Sequence, residues 1–182
     1  MFSDKKVLDK ISTLDQLVEV LLKGDFQDAI DQSPEFKFNE SEFEKFAHWN
    51  EDHYTRNCIA FNESFELILL CWEEGQKTAV HCHNEQECFV KVVSGEFNEA
   101  MYTLDPATGE MLSAGSHSLA TQEVTSIENH ELFHSLKNTH SGRAMSLHLY
   151  MKPIERCRYY DPKTKELNTV GLSYYSLDGK LL

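Results

Sequence analysis

The chain has 182 residues, a formal net charge of −13 at pH 7 and 41% hydrophobic residues. This length and composition are typical of one globular domain with a sizeable core, and the 20 aromatic residues argue against disorder. The acidic balance argues against nucleic acid or an anionic membrane surface as a partner, because both require a basic face.

No apolar run has the length of a signal peptide or a membrane span, so the sequence predicts a cytoplasmic protein. The cysteines are odd in number, and no two of them form a CxxC motif. In a reducing compartment we expect free or functional thiols and no disulfide framework. No segment typical of an assembly interface stands out, and we expect a monomer. The cysteines are Cys58, Cys71, Cys82, Cys88 and Cys157.

The first 50 residues are predicted to form a layer of short helices. Ser12 with Asp15 resembles a capping arrangement before the first helix, and Gly24 is a plausible stop. Two more helices are predicted over FQDAIDQ and SEFEKFAHW. We interpret all three as amphipathic helices packed on a core. In the first helix the apolar residues recur at the helical period: Leu14, Leu17, Val18, Leu21 and Leu22.

From about Tyr54 the pattern changes to short β-rich runs separated by turn signals. Strands at such regular spacing predict a sandwich or a barrel. We therefore predict a single domain over 1–182, with a helical layer over 1–50 and an all-β body over 51–182. The predicted strands are FELILLCW, TAVHCH, ECFVKVV, NEAMYTL, HELFHSLKN, AMSLHLY and GLSYYSL.

Histidines form the first candidate site. Alternate residues of a strand share a face, so His81 and His83 lie on one side of TAVHCH. His134, in HELFHSLKN, is a third candidate, and three imidazoles from different strands would suit Fe, Zn, Cu or Ni. For the other histidines we expect surface or structural roles; they are His48, His53, His117, His130 and His140.

Ser146, His148 and Tyr150 share one face of AMSLHLY. A half-exposed strand would show the same alternation. If the face lines the interior, however, a histidine between two hydroxyls can be hydrogen-bonded on both nitrogens and can orient the phenol. Tyr54 and Arg56 also share a face. An inward guanidinium can bind a carboxylate through two hydrogen bonds, whereas the alternative for Arg56 is a solvated surface residue.

The segment from Gly75 to Gly95 resembles the first motif of the cupins. A glycine, five residues and H-x-H are followed by Cys88, six residues and a glycine. His134 and Asn138 match the end of the second cupin motif. The resemblance implies a jelly-roll β-barrel. Cys88 stands where many cupins carry a glutamate ligand, so three neutral imidazoles would leave metal positions open for an anionic substrate such as a thiolate.

Five segments together resemble the cysteine dioxygenase family of cupin-fold thiol dioxygenases. The resemblance covers residues 54–157 well, and upstream it is limited to a similar arrangement of helices. The combination is far more specific than any one motif. The segments are YTRN, LLCW-x-x-G, H-x-H-x-x-x-x-C, LFH and SLHLY.

The resemblance implies that the protein oxidises L-cysteine with O2 to 3-sulfinoalanine and binds Fe(II). Arg56 would hold the carboxylate of the substrate, with Tyr54 shaping the pocket. Tyr150 would sit close to the iron, and Cys88 beside it could form a thioether crosslink. His148 and Ser146 would support Tyr150. The iron ligands would be His81, His83 and His134.

Two departures from the family pattern and two other functions are left open. Lys152 replaces the first residue of a proline pair, so a cis bond before Pro153 is not implied. Many bacterial relatives have glycine at the position of Cys88, so the cysteine permits a crosslink without requiring one. Another small thiol such as 3-mercaptopropionate is an alternative substrate, although relatives of that kind tend to lack Arg56. A non-catalytic metal-binding cupin is the other alternative.

Overall fold

A computed structural model describes residues 10–83, 86–127 and 132–182. His130 and Glu131, the first two residues of the predicted strand HELFHSLKN, therefore lie outside the described residues. Helices occupy the N-terminal part, and strands follow from residue 55 onward. Within the described residues, no helix is both long and apolar enough to cross a bilayer. The domain division at residue 50 stays a prediction.

Helix α1 spans Leu14–Lys23. The Thr13 side chain accepts the Gln16 backbone N–H at 3.2 Å, and the Gln16 side chain accepts in turn from the backbone of Thr13. The cap therefore lies one residue later than predicted, because the Ser12 hydroxyl bonds the Gln16 side chain instead. Gly24 ends the helix with a φ of 85°, as its position in the sequence predicts.

Helix α2 spans Phe26–Gln32 and leads into a short 3₁₀ turn at Ser33–Glu35. The third predicted helix is a 3₁₀ helix over Glu40–Phe46 instead of an α-helix. Its Phe43 is fully buried and packs against Phe38 with the ring centroids 5.9 Å apart. The three segments form the apolar layer that the sequence predicts.

The strands of the described residues form two sheets. The strands are β1 (Thr55–Phe61), β2 (Phe65–Trp72), β3 (His81–Cys82), β4 (Cys88–Ser94), β5 (Glu96–Leu104), β6 (Met111–Ala120), β7 (Val124–Ile127), β8 (Phe133–Asn138), β9 (Ala144–Met151), β10 (Arg156–Asp161), β11 (Glu166–Gly171), β12 (Ser176–Leu177) and β13 (Lys180–Leu181). One sheet has the order β13-β12-β1-β2-β9-β4-β7, and the other has the order β11-β10-β3-β8-β5-β6.

Strand β9 lies between β2 and β4 and is buried on both faces. Met145, Leu147 and Leu149 belong to the same apolar cluster as the buried face of α1. The other face, with His148 and Tyr150, is turned to the interior between the sheets. The alternative of a half-exposed strand for AMSLHLY is therefore wrong, because the helical layer covers the face that would otherwise meet water.

The predicted jelly-roll cupin barrel with an N-terminal helical layer is confirmed. Strand β2 has the bounds predicted for FELILLCW. The segment GLSYYSL is different, since its Gly171 ends β11 and only its last two residues form a strand of their own. Strands β1, β6, β7, β10, β11 and β13 were not predicted; β6 carries Gly115 and mostly exposed side chains, so it lacks the apolar alternation that identified the others. No peptide bond of the described residues is cis, and Lys152 has a φ of 82°.

Candidate functional site

A cavity of about 290 Å³ lies between the two sheets. Most of the predicted site residues meet in it, and the rest of its wall is largely apolar, with Leu70, Leu136 and Leu172 among the lining residues. Ser146 and Cys88 lie just behind that wall. The predicted site residues that line the cavity are Tyr54, Arg56, His81, His83, His134, His148 and Tyr150.

Three of these residues converge through their ring nitrogens. His81 and His134 are directly opposite each other in the pairing of β3 with β8, and His83 follows β3. The Nε2 atom of His83 lies 3.2 Å from Nε2 of His81 and 3.1 Å from Nε2 of His134. The sequence prediction that these three side chains meet is therefore confirmed.

The hydrogen bonds of the far ring nitrogens fix the tautomers of two of these histidines. His81 donates from Nδ1 to the Ala79 carbonyl at 3.0 Å, and His134 donates from Nδ1 to the Glu99 carboxylate at 2.7 Å. Their Nε2 atoms therefore carry lone pairs that face the third imidazole. A proton on Nε2 of His83 can be donated to only one of them, so at least one of the two close nitrogen pairs lacks a bridging proton, and a cation among the three nitrogens would remove that repulsion. The donor set thus fits a metal ion, and these three histidines can hold one.

The electrostatics of the cavity favour neutral imidazoles. Burial lowers the pKa of His83 and of His134 well below the ordinary histidine value, and the neighbouring imidazoles lower both further. Burial lowers the pKa of His81 as well. Since a metal binds the unprotonated ring, histidines that stay neutral near pH 7 are ready to coordinate without first losing a proton.

Glu99 is a functional residue that the sequence reasoning missed. It lies on β5, is 1% exposed, and accepts hydrogen bonds from His134 and from the Thr125 hydroxyl. Burial raises the pKa of Glu99, and the Thr125 hydrogen bond and the charge of His117 oppose that rise. The signal in the sequence was the spacing of Phe97 and Glu99. Residues two apart on a strand share a face, so Glu99 points inward with Phe97. The carboxylate of Glu99 thus orients His134, a candidate metal ligand. It does not stand at the position of Cys88, where many cupins carry a glutamate ligand.

Arg56 reaches the cavity from β1 with its side chain 11% exposed. Its Nε and Nη2 atoms are buried and have no hydrogen-bond partner among the described residues. The alternative of a solvated surface arginine is therefore wrong. Such unpaired buried donors require an acceptor, and a ligand carboxylate in the cavity would provide one. Tyr54 lies nearby and stacks on Trp72 with the ring centroids 4.5 Å apart.

The inward face of β9 carries a chain of hydrogen bonds. The sequence reasoning began this chain at Ser146, but in the structure Trp72 of β2 precedes Ser146 in it. The Trp72 indole donates from Nε1 to the Ser146 hydroxyl at 2.9 Å, and Ser146 lies 2.8 Å from Nε2 of His148. Among the described residues, Nε2 of His148 is the acceptor available to the Ser146 hydroxyl proton, and donation to it leaves the proton of that ring on Nδ1. Trp72 was quoted only as part of a motif, since the pairing of β2 with β9 is not visible in the sequence.

The predicted second hydrogen bond of His148 is not present. Its Nδ1 atom is buried and has no hydrogen-bond partner among the described residues. The rings of His148 and Tyr150 lie 6.1 Å apart and nearly parallel, at 21°. The absence goes with the nearly parallel stacking of the two rings and not with their spacing along the strand, because Ser146 and His148 are also two residues apart and are hydrogen-bonded. The Nδ1 donor is thus left free in the site.

Cys88 and Tyr150 are directly opposite in the pairing of β4 with β9, and both are buried. Burial raises the pKa of the Cys88 thiol, and a hydrogen bond with Tyr150 lowers it in part. Burial raises the pKa of Tyr150 well above its ordinary value, so the phenol keeps its proton. Opposite residues of an antiparallel pair have Cβ atoms about 5 Å apart, which places the thiol against the phenol ring.

Comparisons with known proteins agree with this geometry. A family model described as cysteine dioxygenase type I matches residues 3–163. Cysteine dioxygenase type 1 of Rattus norvegicus is 30% identical over 147 residues, which are 79% of this chain and 74% of the relative. The protein of the same name from Danio rerio is 29% identical over 181 residues, with 94% and 90% covered. The crystal structure of TT1209 from Thermus thermophilus shares the fold, with a TM-score of 0.50 and 15% identity over 60% of this chain and 93% of that one.

Proposed function

Because the chain belongs to the cysteine dioxygenase type I family, we propose that it oxidises L-cysteine with O2 to 3-sulfinoalanine. The observation that carries this proposal is one cavity lined both by Arg56, whose Nε and Nη2 atoms have no hydrogen-bond partner among the described residues, and by three converging imidazoles. A ligand bound there would carry a carboxylate at one end and a metal-binding group at the other. L-Cysteine has both, with its thiol two bonds from the α-carbon.

We propose Fe(II) as the metal held by His81, His83 and His134. Bound there, Fe(II) would supply the redox chemistry that allows O2 to react with a thiolate. The reaction balances without another reductant: the sulfur is oxidised by four electrons, O2 is reduced by four, and both oxygen atoms enter the product. The thiol proton leaves on binding, and the sulfinic acid forms as its anion near pH 7.

Arg56 would fix the orientation of the substrate. Its planar guanidinium would donate two parallel hydrogen bonds to the α-carboxylate, which satisfies the buried Nε and Nη2 atoms. Leu70 and Leu172 also line the cavity, and their apolar side chains would limit the access of water to that contact. Holding the carboxylate at one end places the sulfur at a set distance from the imidazoles, and such positioning is a large part of catalysis.

Tyr150 would act on the oxygen atoms that are transferred to sulfur. Its ring lies 5.3 Å from that of His83, and burial keeps its hydroxyl protonated, so it is available as a hydrogen-bond donor. The Nδ1–H of His148 is a second donor with no partner among the described residues. Both would stabilise negative charge that develops on oxygen during the reaction. Ser146 and Trp72 would hold His148 in the required tautomer.

The second candidate is a dioxygenase acting on another small thiol such as 3-mercaptopropionate. It shares the metal site, but Arg56 would then bind the carboxylate of a substrate without an amine. A non-catalytic metal-binding cupin is the third candidate, and the unpaired donors of Arg56 and His148 speak against it, because metal storage requires neither.

One experiment separates these functions. Protein loaded with Fe(II) is given a panel of thiols (L-cysteine, 3-mercaptopropionate and cysteamine), with O2 consumption followed and the products identified by mass. We expect O2 uptake with L-cysteine and a sulfinate product. The highest kcat/KM for 3-mercaptopropionate would favour the second candidate, and no uptake with any thiol would favour the third. A His134→Ala variant serves as the control without the metal site.

A further inference from the structure

Glu66 is a buried carboxylate that the proposed chemistry does not use. It lies on β2, is 1% exposed, and is directly opposite Tyr150 in the pairing of β2 with β9. Its Oε1 atom lies 3.5 Å from Nη2 of Arg56. It does not line the cavity that holds the three histidines; it lines a separate hollow on the other side of Ile154 and Leu172. Glu66 is therefore behind Arg56 as seen from the cavity.

The position of the Glu66 carboxylate is fixed independently of Arg56. Its Oε2 accepts the Ile154 backbone N–H at 3.1 Å, and the Tyr174 hydroxyl forms a second hydrogen bond with the carboxylate. Arg56 makes no hydrogen bond from Nη2, so the contact between the two side chains is one of charge. Glu66 thus balances the guanidinium charge without accepting a hydrogen bond from Nη2, and the donors of Arg56 stay available to a ligand.

The charges of Arg56 and Glu66 nearly cancel, and the titratable side chains next to Arg56 add no charge near pH 7. Tyr54 and Tyr150 are its aromatic neighbours, and burial raises the pKa of both, so they are uncharged near pH 7. The imidazoles of His81 and His148 have lowered pKa values and are also uncharged there. A ligand carboxylate therefore meets the positive charge of Arg56 together with the negative charge of Glu66 a few ångströms behind it.

We propose that Glu66 is a specificity-determining residue that acts through Arg56 and selects zwitterionic amino-acid thiols over thiols with a carboxylate alone. An anion gains from Arg56 but is repelled by Glu66 at low local dielectric. A zwitterion also gains from Arg56, and its ammonium group is attracted by the charge that repels its carboxylate. The pair thus disfavours a net negative ligand more than a neutral one. This inference rests on the proposed function, because it names the substrate class of the same cavity.

The test is Glu66→Gln, which removes the charge and keeps an acceptor for the Ile154 N–H. We expect kcat/KM for 3-mercaptopropionate to rise by about five- to tenfold, while that for L-cysteine changes by less than about twofold. Glu66→Asp keeps the charge and should keep the wild-type ratio of the two substrates. Glu63→Gln is the matched control, since it removes a carboxylate that is exposed near the same hollow. An unchanged ratio in Glu66→Gln would overturn the proposal.

A binding measurement separates this proposal from the proposed function, because it requires no turnover. Propionate and alanine, which carry no thiol, are titrated into the metal-free protein by calorimetry. Glu66→Gln should tighten propionate by about fivefold and leave alanine nearly unchanged. Equal effects on both ligands, or binding of neither, would overturn the role of Glu66 whether or not a thiol is oxidised. If Glu66→Gln does not fold, the wild-type protein still decides, since a preference for propionate over alanine would contradict the proposal.

Discussion

At the scale of single residues, Arg56 determines how a carboxylate can bind in the cavity. A buried guanidinium with two unpaired donors is costly to maintain, because water cannot reach the donors and no described side chain accepts from them. A bound carboxylate offsets that cost. Glu66 balances the charge of the guanidinium, but these two donors gain a hydrogen-bond acceptor only when a ligand is present, which is typical of a binding residue.

The first prediction concerns this residue. Arg56→Ala should lower kcat/KM for L-cysteine by about a hundredfold, because a charge-assisted bidentate contact is lost. Turnover of cysteamine, which has no carboxylate, should fall by less than about threefold. Arg56→Lys, which keeps the charge but not the planar fork, should lie between wild type and Arg56→Ala for L-cysteine. Equal losses for the two thiols in steady-state O2 uptake would rule out the carboxylate role.

The second prediction concerns the opposed pair of Cys88 and Tyr150. During turnover with O2 we expect a fraction of the protein to form a thioether between Cys88 Sγ and the Tyr150 ring, with two hydrogens lost to the oxidant. Peptide mass spectrometry should find the two peptides joined in that fraction. Cys88→Ser and Tyr150→Phe should each abolish the joined species. Peptides that stay separate after prolonged turnover would show that Cys88 only fills the space of a missing ligand.

At the scale of elements, the two motif glycines 75 and 95 have different structural roles. Both have positive φ angles, of 76° and 87°. A Cβ atom added at Gly95 would lie 2.5 Å from Cβ of Ala144 at the start of β9, whereas one added at Gly75 would meet nothing within 4 Å. Gly75 is required by its turn alone, and Gly95 is required also by the close approach of its turn to β9.

The third prediction follows from this difference. Gly95→Ala should lower the free energy of unfolding by about 2–4 kcal/mol, because left-handed strain and a steric overlap add. Gly75→Ala should cost only about 1 kcal/mol, from strain alone. Urea unfolding of both variants gives the comparison. Equal losses of unfolding free energy in Gly95→Ala and Gly75→Ala would contradict the prediction. They would mean that the turn after β4 moves away from β9 and relieves the overlap.

Lys91 is a buried lysine at the interface between β4 and the helical layer. It is 5% exposed, and its Nζ donates to the Gln122 carbonyl at 2.8 Å, while its apolar neighbours include Ala29 and Leu149. No ion pair of the described residues includes it. Burial lowers the pKa of its ammonium group from the ordinary 10.5 to about 8. The charged form is therefore less stable in the folded protein than in the unfolded chain.

The fourth prediction uses the sign of that shift. Between pH 8 and 10.5 the unfolded chain binds more protons at Lys91 than the folded protein, so the contribution of Lys91 to stability rises with pH across this window. Lys91→Met should therefore stabilise the protein at pH 7, and its advantage should shrink as the pH rises through 8 toward 10.5. Denaturant unfolding at several pH values measures this. Lys137→Met, at an exposed position of β8, is the control, and the same pH trend in both variants would contradict the prediction.

Spacing along single strands predicted much of the site. The alternation of β9 and of the H-x-H segment places the correct side chains on one face, because the period of a strand is fixed by geometry. Glu99, Glu66 and the bond from Trp72 were not predictable in the same way. Each depends on which strands are neighbours, and a short strand with local alternation carries no information on whether β9 pairs with β2, β4 or both.

At the scale of the whole molecule, the two sheets and the helical layer have separate roles. The helices cover the outer face of the seven-stranded sheet, so β9 can be apolar outside and polar inside. The six-stranded sheet brings two of the three histidines on β3 and β8, and the other sheet brings Arg56 and Tyr150. The site therefore exists only when both sheets have closed. The chain is strongly acidic overall, yet the cavity presents a guanidinium, which shows that local charge and net charge are independent.

The origin of the oxygen atoms in the product decides whether this cavity carries out a dioxygenase reaction. Protein loaded with Fe(II) is mixed with L-cysteine under ¹⁸O-labelled O2, and the product is analysed by mass spectrometry. We expect a sulfinate that carries two labelled oxygens, with one O2 consumed for each cysteine, and no product from the His134→Ala variant. A product with fewer than two labelled oxygens, or the disulfide cystine as the main product, would refute the proposed reaction.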